Sequence, residues 1–374
     1  MPEQSDFKSN VKRIAYFISP HGFGHAARSV AVMQAISDFD ASVGFEIFTT
    51  VPSWFFQDSM SASCTCHALL TDIGLVQKTA FHADLNKTLR SLDDFLPFPA
   101  SLISEITAKV KKLNCILIIC DISPLGISIA KEAGIPSVLV ENFTWDWIYE
   151  SYLSENGRLK GPIAYLRDLF NRADYHIQTK PVCNPCDAHL TTAPVSRKPK
   201  TPAPVVREQL GIPQGAKVVL VTMGGIQEKI PYLERLIEMD HVHFIMPGSN
   251  GSLERRVNLV LLPQHSAFFH PDLVNASDAV IGKVGYSTLA EVYHAGIPFG
   301  YISRHAFRES SSLVSYIEEQ MQGIPVEEDA FFKGQWSSVL PILLQFPRIA
   351  RNRINGADQA ACFLFDLLRR SQAF

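Results

Sequence analysis

The chain has little net charge, no apolar run long enough to span a membrane and no paired set of cysteines. Each shortage removes a class of function. The formal net charge is −3, with both signs interspersed, so there is no electrostatic footprint for nucleic acid or an anionic membrane surface. The longest apolar stretches, such as Cys115–Cys120 and Val218–Val221, are strand-sized and far short of the ~20 residues of a membrane helix. The polar start, Met1 to Asn10, is not expected to act as an export signal. Seven cysteines, an odd number, fit a reducing compartment, and the expected location is the cytoplasm. Cys183-Asn-Pro-Cys186, with His189 three residues on, has the spacing of half a zinc site. Cys64 and Cys66 have the wrong spacing for the other half. No metal site is therefore expected, and the first pair reads as a proline-rich turn carrying two reduced thiols.

At 374 residues, 47% hydrophobic and 19% charged, the chain describes a soluble globular protein too long for one ordinary core. Strand-like runs alternate with amphipathic segments at 13–18, 45–50, 115–120 and 137–141, and again at 217–222, 242–246, 258–262, 278–281 and 298–302. That alternation predicts an α/β protein with parallel sheets and helical crossovers. Between the halves, Ala193-Pro-Val-Ser-Arg-Lys-Pro-Lys-Thr-Pro-Ala-Pro204 is rich in proline and lysine and resists helix and sheet alike. The expected organisation is two doubly wound, Rossmann-like domains, 1–192 and 207–347, joined by a linker at 193–206. A closing helix within 348–374 carries Ala350, Ile354, Ala357, Ala361, Leu364 and Leu368 on one stripe and is expected to return to the first domain.

The richest stretch is Arg13-Ile-Ala-Tyr-Phe-Ile18, then Ser19-Pro-His-Gly-Phe-Gly-His25, then a helical pattern with Ala26, Val30, Met33 and Ile36 on one face. Gly22 and Gly24 permit a sharp turn and let a ligand approach the first exposed amides, where a helix start favours anions. Two histidines, His21 and His25, are unusual in a purely structural bend. Gly22-x-Gly24-x-x-Ala27 also satisfies the dinucleotide fingerprint, but that site needs an acid near the end of the second strand. Glu46 lies inside that strand, so no nicotinamide or other cofactor is expected.

A second constellation follows the run Ala279-Val-Ile281: Gly282-Lys-Val-Gly-Tyr-Ser-Thr-Leu-Ala-Glu291, then Gly296-Ile-Pro298. Gly285, Ser287 and Thr288 fall at a strand-to-helix turn, where a hydroxyl caps the helix or donates to a phosphate. Glu291, four residues after Ser287, is placed to accept from the vicinal hydroxyls of a ribose; the alternative is a capped helix with a surface glutamate. Thr222-Met-Gly-Gly225 offers another close approach, with Gly225 at the cleft edge. Arg304, Arg308 and Glu309 follow the next strand and address either a diphosphate and sugar hydroxyls or solvent.

The second half resembles the nucleotide-sugar domain of GT-B glycosyltransferases, the class that includes the peptidoglycan N-acetylglucosaminyltransferase, through Asp278, Gly282, Gly285, Ser287-Thr288, Glu291, Gly296 and Pro298. The first half is similar to the glycosyltransferase-like N-terminal domain of L-arabinokinases. That likeness is carried by Gly22-Phe-Gly-His-Ala-Ala-Arg28, Asp121 with Pro124, Asn142-Phe-Thr-Trp-Asp-Trp-Ile-Tyr149 and Gly282-Lys-Val-Gly-Tyr-Ser287. The resemblance implies a GT-B fold whose two domains face a cleft, with the donor on the C-terminal side and the acceptor facing the N-terminal loops. Lys283 stands where many such transferases carry histidine, and Arg308-Glu309 where they carry an acid–glutamine pair. No ATP loop of the galactokinase type is found, so sugar phosphorylation is not expected.

The resulting expectation is transfer of a sugar from a nucleoside diphosphate, UDP foremost, to an acceptor hydroxyl without a metal. His25 is the candidate base, because imidazole exchanges protons near neutral pH, and Asp121 is its orienting carboxylate. Gly225, Lys283, Gly285, Ser287, Thr288, Glu291, Arg308 and Glu309 form the expected donor side. His21, Gly22, Gly24, Arg28, Trp145 and Asp146 form the acceptor side, where aromatic faces suit sugar rings. A nucleotide-sugar epimerase or hydrolase, or a non-catalytic nucleotide-sugar sensor, are the competing readings.

Overall fold

The computed structural model describes residues 12–79, 81–224, 232–304, 306–351 and 354–370. The first half forms a sheet from β1 (Arg13–Ile18), β2 (Gly44–Thr49), β3 (Cys64–Ala68), β4 (Cys115–Asp121), β5 (Ser137–Glu141), β6 (Tyr175–Thr179) and β7 (Leu190–Thr192). Their order is β3-β2-β1-β4-β5-β6-β7, and every pairing is parallel. The second half forms another from β8 (Lys217–Thr222), β9 (Val242–Pro247), β10 (Glu254–Arg256), β11 (Leu259–Leu262), β12 (Ala279–Lys283), β13 (Phe299–Ile302) and β14 (Gly323–Pro325). Here the order is β10-β11-β9-β8-β12-β13-β14, parallel except for the β10–β11 hairpin. The continuous apolar runs of β1, β4, β8 and β12 become the central strands because helices cover both faces, leaving no solvent side for polar residues. The strands that the sequence pattern did not reveal, β3, β6, β7, β10 and β14, are peripheral and are short or polar.

In both sheets the strand order reverses at the middle, between β1 and β4 and between β8 and β12. In such sheets a crevice opens at the carboxyl ends of the strands flanking the reversal. Ile18 pairs in register with Asp121 there in the first sheet, and Thr222 with Gly282 in the second. A side chain at Gly282 would collide with the Thr222 carbonyl oxygen, 2.0 Å from an ideal Cβ. Glycine is thus required for the second crevice to close this tightly.

Four helices position the site: α1 (Phe23–Phe39), α2 (Tyr286–Ala295), α3 (Glu309–Gln320) and α4 (Gly356–Arg370). Helix α1 is buried nearly all round. Val30, Met33 and Ile36 share one apolar cluster with Ala357, Ala361, Leu364 and Leu368 of α4 and with Tyr286 and Ala290 of α2. The closing helix starts later than its pattern predicts: Asn355 caps it by accepting from the Ala357 amide at 2.9 Å. Ala350 and Ile354 therefore fall outside it, and Ile354 is exposed. The proline-rich connection is not a loose tether. Val195 and Ser196 are buried, and Asn355 donates to the Ser196 carbonyl at 2.9 Å. A helix, Ala203–Leu210, begins inside the connection; Pro204 fits its first turn because the amide missing there has no partner to lose.

Candidate functional site

Both crevices place a helix start that no side chain caps. Gly22 precedes α1 with φ 74°, and Gly285 precedes α2; neither helix has a side-chain cap bond. Ser287 and Thr288, read from sequence as possible caps, instead lie inside the first turn of α2. The first amides of both helices are left without intrahelical acceptors, as at any helix start. An ideal Cβ on Gly24 would sit 3.8 Å from Ser287 Oγ, so the two starts nearly touch across the interface between the halves.

In the first half, polar side chains below the turn are almost fully engaged. His25 Nδ1 lies 2.8 Å from Asp121 Oδ1. Arg28 grips the same carboxylate on both sides, through Nε to Oδ2 at 2.8 Å and Nη2 to Oδ1 at 2.5 Å. Ser29 Oγ adds a bond to Oδ2 at 3.2 Å. Burial alone would raise the Asp121 carboxyl, but the Arg28 charge and the bonds from Arg28 and His25 outweigh it and hold the group below the usual carboxylate range. With Nδ1–H donating to Asp121, His25 Nε2 is the ring's remaining basic nitrogen. Arg28 Nη1 continues to Asn142 Oδ1 at 2.6 Å, and Asn142 Nδ2 donates to Glu309 Oε1 at 2.9 Å. One buried chain of polar contacts thereby runs from His25 to the start of α3 in the other half.

A cavity of about 350 Å³ lies over this chain. His21, Gly22, Gly24, His25 and Arg28 line it from the first half; Lys283, Gly285, Ser287, Thr288 and Glu309 line it from the second. His21 Nε2 sits 3.0 Å from the Leu75 carbonyl oxygen. Burial first, then the neighbouring His25, Arg304 and Lys283, push its pKa down to about 3. A larger cavity of about 570 Å³ adjoins, sharing Phe23, Gly224, Ser287 and Thr288 with the first. Trp54 and His265 stack in its wall at 4.3 Å between ring centroids.

Several residues expected at the site stand elsewhere. Arg308 turns away to the Trp147 carbonyl oxygen at 2.6 Å and Glu150 Oε2 at 2.8 Å, its guanidinium 4.0 Å from the Trp147 ring centre. Trp145 and Asp146 are behind the cavity wall: Trp145 meets the edge of His21 at 5.0 Å, and Asp146 accepts from Arg167 Nε at 3.2 Å. Glu291 lines the larger cavity, but its oxygens already accept from Arg197 Nε at 3.0 Å and lie 2.7 Å from His270 Nδ1. Those two charges overcome burial and hold the Glu291 carboxyl low. Gly225 lies outside the described residues. Glu46, the acid weighed for a dinucleotide ribose, is buried against Arg13 and His67. Cys183 and Cys186 serve separate partners, Asn142 at 3.7 Å and His176 at 3.5 Å. Among the described residues no group of three or more metal-ligating side chains occurs, and no helix is long and apolar enough to cross a membrane.

Sequence reasoning missed Arg197 and His270. Arg197 sits in the connection read as a linker, and nothing near it in the chain marks a partner 94 residues away.

Comparison with known proteins adds to this geometry. No protein-family model matches the chain. The L-arabinokinase of Arabidopsis thaliana is 27% identical over 355 residues, which cover 94% of this chain. The chain spans about a third, 34%, of that relative's length. Among solved structures, CalG4, the calicheamicin glycosyltransferase, superposes with TM-score 0.62 at 14% identity, covering 97% of this chain and 98% of that one. Medicago truncatula UGT71G1, solved with UDP-glucose, superposes with TM-score 0.54 at 14% identity, covering 96% of this chain and 94% of that one. The fold is GT-B. The structural likeness covers nearly the whole chain, and residues of both halves line the two cavities.

Proposed function

We propose that this GT-B protein transfers a sugar from a nucleoside diphosphate, UDP foremost, to an acceptor hydroxyl. One juxtaposition carries the reading: a histidine pinned through Nδ1 to a buried carboxylate lines the same cavity as an uncapped helix start flanked by Lys283, Ser287 and Thr288. The solved UGT71G1 complex with UDP-glucose supports the choice of nucleotide.

In this reading the diphosphate rests at the first turn of α2. Free amides, the helix dipole and the hydroxyls of Ser287 and Thr288 address its oxygens there, and Lys283 adds a positive charge. The nucleoside extends into the larger cavity toward Glu291. A carboxylate has about four lone-pair positions, so Glu291 retains capacity for ribose hydroxyls beside Arg197 and His270. The sugar then faces His25. The acceptor oxygen attacks the anomeric carbon and its proton passes to His25 Nε2. The bond from that carbon to the diphosphate breaks, and its electron pair leaves on the phosphate oxygen. Asp121 stabilises the imidazolium that forms, while Arg28 and Ser29 keep the carboxylate fixed. Charge on the departing diphosphate is met by groups of the chain itself, without a metal ion.

A thermal-shift comparison of UDP, GDP, dTDP and NAD tests this reading. A ligand at one hundred times its dissociation constant stabilises the fold by about 2.7 kcal/mol, and UDP is expected to give the largest rise. No response to any nucleoside diphosphate would overturn the proposal. Incubation with UDP-sugars, followed by analysis of products, separates transfer from release of free sugar or isomerisation of the donor.

A further inference from the structure

One buried cation in the smaller cavity is poorly satisfied. Arg304 is 7% exposed and lines the cavity wall. Among the described residues it donates to Glu309 Oε2 at a long 3.3 Å, and its Nε has no hydrogen-bond partner there. Phe307 holds the guanidinium plane, with its ring centre 4.0 Å away. Arg28, also buried, makes the contrast plain: its nitrogens engage both Asp121 oxygens and Asn142 at 2.5–2.8 Å. A guanidinium carries five donors in a planar fork, and burying one with so little compensation is costly. The carboxylate beside it meets Arg304 through one long contact to Oε2, while its Oε1 accepts from Asn142.

Among the residues lining the cavity with Arg304, Glu309 is the carboxylate; Asp121, beneath it, is already taken by Arg28 and His25. A diphosphate at α2 would draw on Lys283. Arg304 follows β13, at the end of the cavity where His21 and Phe307 meet, and its fork matches two coplanar oxygens.

We propose that Arg304 is a specificity residue that binds a substrate carboxylate, so that the sugar handled in this cavity is a uronic acid. This inference rests on the nucleotide-sugar reading above. The carboxylate belongs either to the transferred sugar or to the acceptor, and binding measurements tell the two apart. Charge-assisted hydrogen bonds of this kind are worth a factor of about ten or more in affinity.

Calorimetric titration of the full chain with UDP, UDP-glucose and UDP-glucuronate comes first, then of the UDP-saturated protein with glucose and glucuronate. UDP-glucuronate binding about tenfold tighter than UDP-glucose assigns the carboxylate to the donor. Glucuronate binding the UDP complex where glucose does not assigns it to the acceptor. In either case Arg304→Gln must abolish the preference and Arg304→Lys restore part of it. A wild-type protein that binds UDP yet treats glucose and glucuronate alike in both arms overturns the inference and leaves the nucleotide-sugar reading standing. A preference that survives Arg304→Gln overturns the role of Arg304. Failure to bind UDP, GDP or dTDP removes both. Should Arg304→Gln not fold, Arg304→Lys decides: a weakened glucuronate preference supports the role of Arg304 and an undiminished one overturns it.

Discussion

The two turns that meet across the cleft are built from the same parts and used in opposite ways. Each is a central strand, a glycine-bearing turn and a helix whose start no side chain caps. In the first half, the side chains beneath the turn are satisfied by one another: His25, Arg28 and Ser29 converge on Asp121, and Arg28 passes the chain to Asn142. In the second half, the first turn of α2 presents Ser287 and Thr288 to both cavities. The first turn is organised by contacts among its own side chains; in the proposed function the second presents its donors to a ligand. Such a division suits a reaction in which one side positions a base and the other meets a leaving anion.

The most severe way to break this contrast is at Asp121. Asp121→Ala leaves the Arg28 guanidinium buried and uncompensated, and chemical denaturation is expected to show a loss of about 3–5 kcal/mol. The Asp121 carboxyl is held low in the fold. Its contribution is therefore complete above the pH at which unfolded carboxylates ionise and is lost as pH falls through the folded value.

The pH dependence of stability probes the same interior next. Asp72, buried and bonded to Ser19 Oγ at 2.9 Å, has its carboxyl pushed up to about 8 by burial. A raised carboxyl stabilises fully below the unfolded value near ~3.9 and loses that stabilisation as pH climbs toward 8. Asp72→Asn is expected to flatten the fall in stability between pH 5 and 8 in urea melts; an unchanged slope contradicts the assignment. His21 acts in the reverse sense. With its pKa held to about 3, it remains neutral in the fold, and stability declines as pH drops from the free imidazole range toward 3.

A substitution at the base separates the two sides without dismantling either. His25→Gln is expected to lower turnover by about 10²- to 10⁴-fold while UDP still raises the melting temperature. Unchanged turnover would remove His25 from the chemistry. The smallest effect is expected on the other side: Ser287→Ala removes one of several donors, for a loss of about 0.5–1.5 kcal/mol in UDP binding. Titration calorimetry should report no more than about tenfold weaker affinity.

Much of this was legible in the chain because parallel central strands must be apolar on both faces and glycines must occupy the turns that follow them. The periodicity of Val30, Met33 and Ile36 marked one apolar stripe of α1, and Gly285, Ser287 and Thr288 marked a strand-to-helix turn, although Gly285 and not a hydroxyl precedes α2. Polar pairings across the cleft were not legible. Glu309 meets Asn142 from 167 residues away, Arg308 and Trp147 satisfy each other instead of a ligand, and Arg197 takes one side of Glu291 from within a proline-rich connection. Local pattern records which residues sit near a turn; it does not record which of them the opposite half has already engaged. The late start of α4 has a similar origin, since Asn355 is held by Ser196 and caps the helix only because the connection packs beside it.

Where a nucleoside diphosphate binds is tested most directly by a crystal structure with UDP. The predicted result places the diphosphate within hydrogen-bond reach of Ser287, Thr288 and Lys283, with the uridine in the larger cavity beside Glu291 and the diphosphate facing His25 across the smaller one. Ordered UDP bound away from the first turn of α2, or an empty cleft at saturating UDP, would contradict it.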